Sequence, residues 1–500
     1  MVTQNRWLVL AVVSSALLLI VIDMTVLYTA LPTLTHDLAA SASEKLWIMN
    51  AYALVVAGLL PGSGALGDRF GHKRMFVGGL VVFGAASLAA AFAPSSAFLI
   101  AARVLLAVGA AMMMPATLSI IRVTFTDERE RAFAFGIWAA VASGGAALGP
   151  VVGGILLHFF WWGSVFLINV PIVAIALVLA IAMIPRDAGH AGRPWDLAGS
   201  VQIMVGLVGI AYAIKTLGMR EPDLAAAAVG AVIGLAALVI FVRRQRRSPA
   251  PLIDFTLFRD PRISAGVTAA LVASIALVGV ELVYSQRLQL VLGLSPLEAA
   301  LLILPIPLAA FIAGPLTGAF LPRLGARTLI WSTLFLSAAG LGTFVLLQGY
   351  SQIGQIAALA AFGFGVGATM TAASTAIMAN APVDRAGMAA SVEEVSYELG
   401  GAIGIAILGS LCAAIYSATM TLPGGTEVPA TVLDGIDNAL LAAESLDEES
   451  AARLIELARG AFDRAFAIVL WIAAAILAIS AFAIRIASTD RQGAIASSRH

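Results

Sequence analysis

The stretch Gly387–Tyr416 reads GMAASVEEVSYELGGAIGIAILGSLCAAIY. It is apolar enough and long enough to cross a bilayer, for which about 20 residues suffice. Glu393, Glu394 and Glu398 nevertheless lie inside it. A charge at the centre of a bilayer costs about 3 kcal/mol on insertion scales. On a helix, Glu394 and Glu398 are four apart and share a face, with Tyr397 one step round. Acids in such a place face a water-filled path and handle ions, protons or cationic ligands. The plainer alternative is that the first of them, Glu393, is merely hydrated near the helix mouth.

The rest of the chain has the same character. Its 500 residues are 60% hydrophobic and only 12% charged, with a mean hydropathy of +0.97. Soluble domains are roughly half apolar and a quarter charged. The expected class is therefore an all-α polytopic membrane protein. Apolar segments separated by short polar or Gly/Pro breaks give about 14 spans. They lie near 8–30, 46–64, 76–93, 98–121, 132–157, 164–185, 198–216, 222–242, 264–284, 294–320, 327–347, 352–378, 387–417 and 463–486. The net charge is zero, which gives no ground for nucleic-acid binding. The single cysteine, Cys412, admits no intrachain disulfide. The run from Trp7 to Ala30 is too long for a signal-peptide core, so it is read as a retained first span.

Lys and Arg set the orientation. Arg6, the Arg69–Arg74 group, Arg122 to Arg131, Arg243 to Arg262 and the C-terminal arginines fall on one side of the alternating spans. Lys45, Lys215, Arg220 and Arg287 are among the few on the other. The positive-inside rule puts the first side, with both termini, in the cytoplasm. The segment 243–263 then reads as a basic cytoplasmic linker, and 420–462 as an acidic outer loop, helical in part from Asp447 to Arg459. In the first half, Gly64–Arg74 (GALGDRFGHKR) joins two spans. Gly64 and Gly71 let antiparallel helices turn tightly. Asp68, among Arg69, Lys73 and Arg74, can pair with neighbouring helix ends and hold one conformation closed; a simple positive anchor is the other reading. A weaker echo, Gly318–Arg327 (GAFLPRLGAR), has Pro322 at the acidic position and points to an internal repeat.

Three further features sit inside spans. Arg103 needs a partner or a water cavity, unless it snorkels from the helix start. Gly145–Gly154 (GAALGPVVGG) has small residues at Gly145, Gly149 and Gly153 that allow close helix approach, and Pro150 kinks the helix. Asp23 is a carboxylate in the first span. Glu281, near the outer end of the ninth span, is either paired with Arg287 or a second anchor for a cation. No GxxxxGK[ST] occurs, so an ion gradient rather than ATP is the expected energy source, with no cofactor.

These motifs carry a resemblance. GxLxDRxGxxR is the cytoplasmic signature of the major facilitator superfamily. GxxxGPxxGG matches the motif typical of its exporters. Asp23 in IDMTVLYTALP, Trp47 with Tyr52, and Phe166–Pro171 (FLINVP) resemble the 14-span drug:proton antiporters. With the acidic thirteenth span, the chain is most similar to the quaternary-ammonium and biguanide efflux pumps of that group. Arg103 resembles the fourth-helix arginine motif, although Leu106 and Ala107 replace the usual Gln and Gly. The resemblance implies two six-helix bundles, at 1–190 and 251–500, with two extra central helices within 191–250. It implies a monomeric, multi-pass protein of the bacterial inner membrane, in contact with its lipids.

The function so implied is proton-coupled efflux of lipophilic cations such as quaternary ammonium compounds, bisbiguanides and dyes. Proton duty then falls first on Asp23, with Glu394 and Glu398 assisting and Arg103 beside them. Glu393, Glu281, Tyr28, Tyr52, Trp138, Tyr284 and Tyr397 are drug-side candidates, because ring faces attract organic cations. Met112 to Met114 and Met370 offer an adaptable apolar wall. The main rival is export of an endogenous metabolite or lipid-like anion on the same fold, which would want an Arg-lined cavity. An integral-membrane enzyme is disfavoured, since all five His lie at span ends or in loops.

Overall fold

In the computed structural model, residues 5–38, 40, 42–185, 189, 196–217, 223–248, 251–382, 385–421, 429–433 and 435–497 are described. They are helical almost throughout. The long helices are α1 (Arg6–Asp37), α2 (Ala42–Phe70), α3 (His72–Ala91), α4 (Ser96–Thr124), α5 (Glu128–Phe159), α6 (Asn169–Met183), α7 (Leu197–Leu217), α8 (Leu224–Gln245), α9 (Pro261–Gln286), α10 (Pro305–Leu324), α11 (Ala326–Leu346), α12 (Gln352–Asn380), α13 (Ala386–Thr419) and α14 (Glu448–Ser497). Twelve of the described helices are long and apolar enough to cross a membrane, thirteen with α5, which bends by 44° between Ala146 and Val151. Pro150 lies in that bend and has no N–H for the ladder. The expected count of about 14 is approached rather than met, because α7 contributes only the shorter apolar piece Ala198–Ile210.

Local sequence starts the helices where they start. Ser95, Asp127, Asp223, Asp260 and Ser351 accept hydrogen bonds from the first-turn amides of α4, α5, α8, α9 and α12, satisfying donors that the helix itself leaves orphaned. At α13 the N-cap position is held by Arg385, which offers no such bond.

Two boundaries differ from expectation. The tenth span is broken: a short helix, Pro296–Ile303, precedes α10, and Pro305 forces the break by lacking an N–H. The Asp447–Arg459 piece of the acidic loop is not separate but continuous with α14. Leu454, Ala458, Ala461, Phe462, Ala465 and Phe466 are all buried along it, an unbroken apolar stripe at helical spacing. Gly460 in its midst costs only about 1 kcal/mol of helix propensity.

Buried apolar residues form two large clusters. One is drawn mainly from α1–α6 and the other mainly from α9–α14. A small third cluster of Ile203, Phe241 and Leu252 ties α7 and α8 to the segment after them. Several contacts place the helix ends. Arg6 pairs with Glu130 at 2.6 Å, and Arg327 donates to the Ile484 carbonyl at 3.3 Å. The start of α1 and the distal part of α14 thus lie at the same end as Gly64–Arg74, called here the basic end. There the linker is not a passive tether. Asp254 forms an ion pair with Arg385, and Gln245 accepts from Leu252 N at 2.6 Å.

Candidate functional site: two sets of buried carboxylates

Asp23, on α1, is 1% exposed, and Arg103, on α4, is 2% exposed. Arg103 Nη1 meets Asp23 Oδ2 at 2.9 Å. The other guanidinium edge donates through Nε to the Ile48 carbonyl at 3.2 Å, and the group lies 4.7 Å from the Tyr52 ring centroid. The second Asp23 oxygen accepts from Asn169 Nδ2 at 3.1 Å. That amide also reaches Ser87 Oγ at 3.2 Å. The carboxylate is therefore satisfied on both oxygens. A buried ion pair needs such additional hydrogen bonds to offset the desolvation of its members. Arg103 does not snorkel; its partner is the first-span acid.

The glycine motif of α5 supports this cluster from behind. A Cβ on Gly149 would run into the Thr25 side chain, and one on Gly145 into Val21 and Leu18, whereas Gly154 has open space. Gly153 is buried. The motif thus packs α5 onto the turn of α1 that presents Asp23.

The second set lies on α13. Glu393 is buried, and its Oε1 accepts from Ser374 Oγ of α12 and from Tyr397 Oη at 3.1 Å. Its Oε2 and the Oε1 of buried Glu394 have no hydrogen-bond partner among the described residues. Glu398 is half-buried, with no ion pair or hydrogen bond among the described residues. Tyr52 belongs to α2, which packs against α13, so the two sets lie on neighbouring helices. Tyr397 is anchored as well: Ser274 Oγ donates to its carbonyl at 2.6 Å.

Other candidates go elsewhere. Glu281 is half-buried on α9, without an ion pair among the described residues. It is seven residues beyond Ser274, about 10 Å along the helix. Arg287, the alternative partner considered for it, instead pairs with Asp463 at 2.6 Å and lies over Phe466 at 5.1 Å. Tyr284 packs against Phe344 and Phe466 in an aromatic cluster. Trp138 donates to Thr117 Oγ1 at 3.0 Å in the core. Met112 and Met113 pack against Gly79 between α3 and α4, and Met370 is half-buried beside Tyr397. Tyr28 belongs to α1, and its side chain lies outside what is described.

Asn169, Ser87, Ser374 and Ser274 were not singled out from sequence. Asn169 lies within the FLINVP motif. Ser374 sits in Thr369–Thr375, a hydroxyl-rich stretch inside an apolar span, which was the available signal.

At the basic end the two halves meet through the glycine turn. Asp68 accepts from Gly387 N at 2.8 Å and Met388 N at 3.1 Å, so it caps the first turn of α13 from another helix. Gly64 and Gly387 contact each other directly, and a Cβ on either would clash. Gly71 begins α3 at φ 97°, a backbone region that favours glycine. Lys73 Nζ caps the end of α6 through the carbonyls of Ile181 and Ile184 at 2.7 and 2.6 Å. Arg69 lies over Phe70 at 5.0 Å, and Arg74 is exposed.

A membrane-crossing bundle in two halves, with glycine turns at one end and buried acids between, is a transporter's architecture. The model described as Major Facilitator Superfamily matches residues 13–405. The chain belongs to that superfamily. It is 42% identical to the methyl viologen resistance protein SmvA of Salmonella typhimurium, over 92% of this chain and 93% of that one. It is 39% identical to the multidrug efflux pump LfrA of Mycolicibacterium smegmatis, over 97% and 96%. Among solved structures, the human organic anion transporter MFSD10 superposes with a TM-score of 0.62, covering 95% of this chain and 99% of that one. Its 13% identity makes this a likeness of fold alone.

Proposed function

We propose that this superfamily member is a proton-coupled exporter of lipophilic organic cations in the bacterial inner membrane, with both termini cytoplasmic. The cargo class comprises quaternary ammonium compounds, bisbiguanides such as chlorhexidine and cationic dyes. The carrying observation is the charge imbalance deep in the helices. Asp23 is matched by Arg103, but Glu393, Glu394 and Glu398 have no cation among the described residues. Buried carboxylates without a partner either take up protons or attract a cation. The names of the relatives agree with the cargo class, since methyl viologen is itself an organic dication.

In the mechanism, proton and cargo compete for negative charge. A cation seated beside Glu394 and Glu398 favours release of the protons they hold. Asp23 holds or releases a proton as Arg103 engages it. Exchange follows from this competition without a long-range wire. The halves, at 1–190 and 251–500, rock around the buried acids. Opening of the basic end breaks the Asp68 contact with α13. The transporter works as a monomer among membrane lipids.

The test uses energised inverted membrane vesicles and a pH-sensitive dye. Addition of chlorhexidine, a quaternary ammonium compound or ethidium should trigger proton release from the lumen, and Asp23→Asn should abolish it. Silence with every cation, despite verified insertion and a maintained gradient, would favour the metabolite exporter instead.

A further inference from the structure

The internal repeat is imperfect at one place, and the structure has a cavity there. In the first half, Asp68 closes the gap between the end of α2 and the start of α13. The corresponding gap in the second half lies between the end of α10 and the start of α5. The helices approach in the same way: a Cβ on Gly318 would meet Ala132 O, and one on Gly314 would meet Gly136 O. Gly325 repeats Gly71, beginning α11 at φ 78° with no side chain capping that helix. The carboxylate does not repeat, because Pro322 stands in its place.

Beside Pro322 a cavity of about 970 Å³ opens, lined by Arg131, Arg262 and Arg327 with a single carboxylate, Glu128. Neither Arg131 nor Arg262 pairs with an acid among the described residues. Among the described residues, Arg262 donates to the neutral Asn380 Oδ1, at 3.1 Å. Two guanidinium groups without an acid partner among the described residues, beside the single carboxylate of Glu128, leave the space short of negative charge until an anion enters.

We infer that this cavity binds an anionic phosphate group, which supplies the negative charge that Asp68 supplies in the other half. Planar guanidinium groups match phosphate oxygens bidentately. The volume is that of an ordinary small-ligand site. The cavity is lined by both halves, through α5 on one side and α9 to α12 on the other. An occupant therefore fastens the basic end shut. The phosphate can come from an anionic lipid headgroup or from a soluble phosphate.

The experiment follows thermal unfolding of the full-length protein in neutral detergent. Inorganic phosphate and phosphatidylglycerol are compared with chloride at matched ionic strength and with phosphatidylcholine, whose ammonium cancels its phosphate charge. Phosphate, phosphatidylglycerol or both should raise the midpoint by several degrees above the controls, as a ligand of the folded state must. A rise with soluble phosphate identifies a free anion; a rise with the lipid alone identifies the headgroup. The rise should be lost in the Arg131→Gln/Arg262→Gln variant. It should also be blunted in Pro322→Asp, which carries its own carboxylate. No rise above the controls, or a rise that both variants leave intact, overturns the assignment. Transport is not measured, so failure of the cation-export reading leaves the result interpretable.

Discussion

Asp23 and Glu394 are both carboxylates buried inside a membrane-crossing bundle, yet their surroundings are opposite. Asp23 has a guanidinium on one oxygen and an amide on the other. Glu394 has an oxygen with no partner among the described residues, and its neighbours in charge are Glu393 and Glu398. The difference assigns different work to the two. A carboxylate that already holds a cation yields it only when protonation or movement breaks the pair. One that holds none is open to whatever positive group arrives. Removing a member of the first set should therefore strand a charge, whereas removing a member of the second should relieve one.

The largest effect follows from breaking the satisfied pair. Arg103→Gln leaves Asp23 buried without its cation, and such losses cost about 3–5 kcal/mol. The unfolding midpoint of the purified protein should fall steeply. Adding Asp23→Asn in the same chain should restore part of it, because the stranded charge is then gone. A double variant no more stable than Arg103→Gln alone would show that the pair is not what holds α1 to α4.

The packing behind Asp23 offers a smaller effect with a control in the same motif. Gly149→Val would force the added carbons into Thr25 and should cost about 1–3 kcal/mol, as overpacking does. Gly154→Val, where nothing lies within 4 Å, should leave the midpoint near wild type. Equal behaviour of the two would remove α5 from the support of Asp23. On the other set, Tyr397→Phe deletes the hydroxyl that reaches Glu393 at 3.1 Å. It should cost about 1 kcal/mol, the net worth of one such bond. A midpoint unchanged in Tyr397→Phe would mean that Ser374 alone holds Glu393.

The two sets were not equally legible in the sequence. The membrane class and the approximate helix count follow from apolar length, because a bilayer leaves the backbone few alternatives. Asp23, Arg103 and the three glutamates stand out because charges inside spans are rare. Their pairing did not. Arg103 is 80 positions from Asp23, and Asn169 is 146 from it, so only tertiary packing brings the three together. The reading of Glu281 as a partner of Arg287 rests on nearness in sequence. The pair does not form because Asp463, at the expected start of the last span, takes Arg287 instead. The sequence shows that Asp68 can pair with helix ends; that the end is α13 follows from Arg385, whose side chain has no acceptor to cap its own helix.

The smallest effect on stability should come from Glu394→Gln, and it bears most on function. The substitution keeps the shape and removes a charge that lies near two like charges. Since one oxygen of Glu394 has no partner to lose among the described residues, the unfolding midpoint should stay level or rise. Binding of ethidium, followed by fluorescence polarisation, should nevertheless weaken by about tenfold or more, since a lost ion-pair contribution of about 1.4 kcal/mol is a factor of ten. Asp23→Asn should behave the other way, losing stability as Arg103 is stranded while the dye still binds. Opposite signs in these two measurements are what a satisfied acid and an unsatisfied acid require. If Glu394→Gln instead bound dye as tightly as wild type, its unpaired oxygen would have to be credited to the proton alone. The cation would then be held by Glu398, the half-buried acid of the second set.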